Sequence, residues 1–109
     1  MQDLYNGIKE NTDKLHSAIQ KRYRVSIARA KAEYKYRSTL GSEMANARFD
    51  GMAATALYDY CRGLENVAEL RCRRDMEQAK EDYLTEMIYY YKTEIRIAEN
   101  QIKAIQAGK

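Results

Sequence analysis

The chain has 109 residues, no proline and only five glycines, with 32% charged and 45% hydrophobic residues and a net charge of +3. That length sets a single domain as the expectation, and the mixture excludes a disordered chain, which would lack this much apolar material. No run approaches the ~18 apolar residues of a membrane span, and a charge this small does not by itself specify nucleic acid.

The first arm is predicted as one helix over 3–49. Asp3 is placed to cap its start. Leu4, Ile8, Leu15 and Ile19 fall on one face. Beyond Tyr23 the apolar face widens into two rows, one of Ile27, Ala30 and Tyr34 and one of Val25, Ala32, Tyr36 and Leu40. A face that broad calls for more than one partner helix. Asn6-Gly7 can bend or delay the helix start. Gly41, which costs roughly 1 kcal/mol against alanine, marks either a kink or a close helix approach.

Residues 50–63 are the connector. Asp50-Gly51 is a turn signal, because Gly51 can take the left-handed conformation that ends a helix. Thr55 is then placed to cap a short helix over 56–62, with Leu57 and Cys61 at i, i+4 and Gly63 ending it. Cys61 and Cys72 lack CxxC spacing or histidine partners. Two free thiols in a reducing cytoplasm are the expectation, with an intramolecular disulfide as the alternative.

The second arm is predicted over 65–107. Leu84, Ile88, Tyr91, Ile95, Ala98, Ile102 and Ile105 are spaced 4, 3, 4, 3, 4, 3, a coiled-coil seam. Cys72, Met76, Ala79, Tyr83, Met87 and Tyr90 form an adjacent row. The fold class is therefore all-α: two long antiparallel helices joined by a short one, in which opposed residue numbers sum to about 114. A lone hairpin buries one seam and leaves its outer rows wet, which is little to set against the ordering entropy of ~100 residues. Self-association is expected, most simply as a dimer forming a four-helix bundle.

Residues 21–37 carry seven basic groups and one acid, Glu33, while 75–86 carry five acids against Lys80. In that hairpin Arg29, Lys31 and Lys35 are matched across the seam, each pair contributing little. Two groups remain. The first joins Lys21, Arg22 and Arg24 with Lys92 and Arg96, among Tyr23, Tyr89 and Tyr90. The second joins Arg71, Arg73 and Arg74 with Arg37, Arg48 and Arg62, flanked by Tyr34 and Tyr36. Arg71 and Arg74, at i, i+3, can grip one phosphate. Guanidinium for phosphate and ring face for base is nucleotide-binding chemistry. Candidate ligand residues are Arg71, Arg74, Arg37, Tyr34, Tyr36, Arg22, Arg24, Tyr90 and Lys92. The competing reading is structural: Arg71 supports Asp75 at i, i+4, and the tyrosines serve core or oligomer interface.

Catalytic signatures are missing. His16 is the sole histidine, so no metal site is expected, and Ser17 beside it points away on a helix. No phosphate loop is encoded. The expectation is a protein that is not an enzyme and uses no cofactor.

AEYKYR at Ala32–Arg37, DGMAAT at Asp50–Thr55 and VAELRCRRD at Val67–Asp75 together resemble the small all-helical accessory proteins of phages and prophages of Gram-positive bacteria. Those are often encoded beside recombination or single-strand-annealing genes. The resemblance covers residues 25 to 105 and implies a phage protein in the host cytoplasm. The absence of a basic-then-apolar leader accords with that location. Three functions follow as expectations. The first is a non-enzymatic binder of a phosphate-bearing nucleotide in Arg/Tyr-lined sites between subunits, sequestering a cyclic-nucleotide immune signal. The second is a single-stranded DNA-binding recombination or replication accessory. The third is a protein-interaction module that inhibits a host factor.

Overall fold

The computed structural model describes residues 1–108, and all regular structure there is helical. Helix α1 spans Gln2–Phe49, a 3₁₀ turn spans Ala54–Ala56, α2 spans Leu57–Arg62 and α3 spans Glu65–Ala107. The two long helices run without interruption because neither contains proline and each keeps an apolar residue every three or four positions. No helix among the described residues is long and apolar enough to cross a membrane. The chain divides into two compact units, Met1–Arg24 with the chain from Lys80 onward, and Val25–Ala79.

In the first unit the inward row of α1 is Leu4, Ile8 and Leu15, all half-buried, followed by Ala18, which is buried. Ile19, expected on that row, faces outward instead. A 3.5-residue repeat after Leu15 lands on position 18, not 19. On α3 the facing row runs Leu84, Ile88, Tyr91, Ile95 and Ala98 to Ile102, which is buried. Ile105, the expected last member of that seam, is exposed. Asp3 lies inside the first turn of α1, where its charge complements the helix dipole, and is not the cap residue.

In the second unit the buried side chains are Tyr36, Leu57, Cys61 and Val67. Of the two candidate rows on α1, the one with Val25, Ala32, Tyr36 and Leu40 turns inward, while Ile27 and Tyr34 are exposed. Gly51, at φ 100°, ends α1. Its N–H donates to Arg48 O at 3.0 Å and the Met52 N–H reaches back to Ala47 O at 3.0 Å, the pair of bonds of a Schellman motif. Thr55 does not cap α2; it sits in the 3₁₀ turn, and the residue before α2, Ala56, offers no side-chain cap. What holds α2 in place is its buried pair Leu57 and Cys61, the leucine contributing roughly 1.5–3 kcal/mol. Cys61 and Cys72 are free thiols, the first buried and the second exposed.

The register differs from the expected sum near 114. Arg22 bonds Thr85 in the first unit and Glu33 pairs with Arg74 in the second, each summing to 107, while Glu43 meets Asn66 at 109. The connector explains the shift. It does not sit at the tip of the hairpin. Met52, Tyr60 and Leu64 line one hollow with Glu43, Asn46 and Ala47, so the chain has already descended along α1 before α3 begins. Phe49, left beyond that fold-back, is 92% exposed.

Gly41 and Gly51 give opposite expectations for the same substitution. A Cβ at Gly41 would meet nothing within 4 Å, and α1 passes through it as regular helix, so Gly41→Ala should raise stability by about 0.5–1 kcal/mol. Gly51→Ala should lower it by about 1–2 kcal/mol, because of the positive φ. Thermal melts of the two variants check both signs.

Candidate functional site

A cavity of about 420 Å³ in the second unit is lined by Glu33, Tyr36, Arg37, Leu40, Gly41 and Met44 of α1, Tyr58 and Arg62 of α2, and Arg74 of α3. Helical spacing aligns its parts: Glu33 and Arg37 are one turn apart on α1, as are Tyr58 and Arg62 on α2. Gly41 adds no side chain to the wall.

The electrostatic centre is Glu33. Arg37 Nε donates to its Oε1 at 2.6 Å, and Arg74 Nη1 lies 3.3 Å from its Oε2. Arg37, and then Arg74, hold the Glu33 carboxyl below the usual carboxylate range, against the opposing effect of burial. Arg74 also donates from Nε to Asp75 Oδ1 at 3.0 Å. Burial works against its charge, but Asp75 and Glu33 outweigh that and push its affinity for a proton up. The Arg74 guanidinium carbon stands 4.5 Å from the ring centroid of Tyr36, a cation–π contact that fixes the fork against a buried aromatic face.

Arg62 is different. Its guanidinium carbon lies 5.3 Å from the Tyr58 centroid. Its Nε is buried and has no hydrogen-bond partner. No ion pair is made by Arg62 among the described residues. A buried donor left without an acceptor costs about 1–3 kcal/mol, and such groups in native proteins call for an explanation.

The structure brings together only part of the expected site. Arg37, Arg74 and Tyr36 line the cavity. Tyr34, 76% exposed, does not. Arg71 does not line it either, and Arg74 is engaged with Glu33 and Asp75. Arg48 is spent on Met52 O at 2.9 Å, and Arg73 lies 4.0 Å from Glu69. In the first unit Arg22 donates to Thr85 Oγ1 at 2.8 Å. Lys92 is seven residues further along α3 than Thr85, about 10 Å at the helical rise, so this register does not set Lys92 directly across from Arg22. Tyr90 meets its neighbour Tyr91 edge-on at 5.6 Å and remains exposed. Lys31 and Lys35, expected to be matched by the acids of α3, are exposed and make no ion pair among the described residues.

Arg62, placed in the second basic group by its position near the connector, also lines the cavity, and Glu33 and Tyr58 complete the site. The i, i+4 spacings Glu33–Arg37 and Tyr58–Arg62 are the sequence signal for them. No group of three or more His, Cys, Asp or Glu able to hold a metal ion occurs among the described residues. Comparison with protein-family models, curated proteins and solved structures found no match.

Glu33 makes the site pH-sensitive. A depressed folded-state pKa contributes stability above the ordinary carboxylate value of about 4.3 and loses it as pH falls through the lower folded value. Glu33→Gln should therefore cost about 1 kcal/mol at neutral pH and flatten the acid limb. Melting midpoints between pH 2 and 7 should show the two proteins converging at the acid end.

Proposed function

We propose that this protein is a non-enzymatic, self-associating accessory protein that binds a phosphate-bearing nucleotide, its ligand site being the arginine- and tyrosine-lined cavity of the second unit. The observation that carries the reading is the convergence of Arg37, Arg62 and Arg74 with Tyr36 and Tyr58 around one carboxylate. Guanidinium forks suit phosphate, and aromatic faces suit a base. A cavity of about 420 Å³ is in the range of small-ligand pockets. A compact cavity suits a small nucleotide better than a continuous strand, which would call for a cationic track. Sequestration of a cyclic-nucleotide immune signal is the role this chemistry fits, in a phage protein acting in the host cytoplasm, as the family resemblance implies.

Self-association rests on the apolar balance. Among the described residues fifteen large hydrophobics are exposed, including Ile27 and Met76 in the second unit and Tyr83 and Ile97 in the first. Exposed apolar side chains in that number call for a partner surface, and a second copy supplies the same faces by symmetry. In this reading the second copy also closes the open side of the cavity.

Calorimetric titration with cyclic di- and trinucleotides should give saturable heat, and sedimentation equilibrium should give a mass above one chain. No heat with any of these ligands overturns nucleotide binding. Length-dependent binding of single-stranded DNA, weakening steeply with salt, would establish the DNA-binding alternative in its place. A monomer at every concentration overturns the assembly.

A further inference from the structure

Three guanidiniums line the cavity, yet they are not equivalent. Arg37 and Arg74 share Glu33, and Arg74 also holds Asp75. Two carboxylates thus answer two arginines. Arg62 has an aromatic face beneath it and a buried, unpartnered Nε, and no acid among the described residues pairs with it.

Glu33 stands where an oxyanion would. Its two oxygens each accept from a different arginine, one on its own helix and one across the unit. Arg37 is the looser of the two, with 76% of its side chain exposed against 26% for Arg74. An incoming anion can recruit Arg37 at small cost, whereas Arg74 is fixed by Tyr36 and Asp75.

We infer that Arg62 is the primary phosphate contact of this cavity and that Glu33 is a built-in competitor, from which the bound phosphate draws Arg37 away. The phosphate chemistry rests on the nucleotide reading above; the ranking of Arg62 over Arg74, and the opposing role of Glu33, go beyond it. Arg62 thereby becomes a specificity-determining residue, because its planar fork favours a two-oxygen partner over a point anion.

The test uses the full chain at low salt, with inorganic phosphate and cyclic di-AMP as calorimetric probes, folding of each variant being checked by circular dichroism. Arg62→Lys should weaken both probes at least tenfold, since a lysine keeps the charge but loses the fork. Glu33→Gln should tighten both by several-fold, an effect that a merely structural role for Glu33 would reverse. If cyclic di-AMP binds and neither substitution moves its affinity in the stated direction, the inference falls and the nucleotide reading stands. If inorganic phosphate binds with both dependences and cyclic di-AMP binds no tighter than phosphate, the inference stands and the nucleotide reading falls. Absence of binding by either probe overturns the inference. Should Arg62→Lys fail to fold, the direction of the Glu33→Gln change decides alone.

Discussion

The second unit turns on one carboxylate held by two arginines. Glu33 meets Arg37 a turn away on α1 and Arg74 on α3, and Arg74 lies over the buried ring of Tyr36. Exposed ion pairs contribute little, but Glu33 and Arg74 are each about a quarter exposed and share further partners, the setting in which a pair specifies register more than it adds stability. Sliding α3 by one turn would leave Glu33 with Arg37 alone and strip Arg74 from its ring. The same register gives Asn66 the partner Glu43 and leaves room for α2 to lie back along α1 with Leu57 and Cys61 buried.

Much of this architecture is legible in the residues. Two proline-free stretches with apolar positions every three or four residues can only be long helices, and Gly51 is placed where a left-handed residue must follow α1. The register is not legible. A connector between two helices can cap the hairpin tip or fold back along one arm, and both conserve the apolar pattern; the choice lies in where Leu57 and Cys61 find cover. Nor does the sequence decide which of two adjacent rows on α1 turns inward, since Tyr34 and Tyr36 are equally apolar at that level. The site inherits both ambiguities. Arg37, Arg74 and Tyr36 are recognisable by type, whereas Arg62 and Tyr58 join them only through the path of α2. The grouping of Arg22 and Arg24 with Lys92 rests on the register that the sequence leaves undecided.

The outward rows have a chemical character of their own. Tyr23, Tyr34, Tyr83 and Tyr89 are exposed, and tyrosine is the aromatic that presents apolar area while keeping a polar tip for water. Such a surface stays compatible with solvent yet loses little entropy when it is covered, because a tyrosine has only two side-chain torsions to order. Tyrosine in place of phenylalanine on these faces keeps apolar area next to water, in a chain with ten tyrosines and a single phenylalanine.

Three guanidiniums at one end of a helical unit would repel one another unless something negative stood between them. Here the protein supplies that charge itself, through Glu33 and Asp75, and stops one short. Complete internal neutralisation would make the cavity an inert structural knot, and none at all would make it unstable without an anion. A surplus of one guanidinium, held against a ring and with its Nε lacking an acceptor, gives a third condition: the unit holds together by its own pairs and leaves one arginine without an acidic partner among the described residues. In the proposed reading, an anion that takes the place of Glu33 leaves that carboxylate tethered on α1, so that exchange need not disturb the helices.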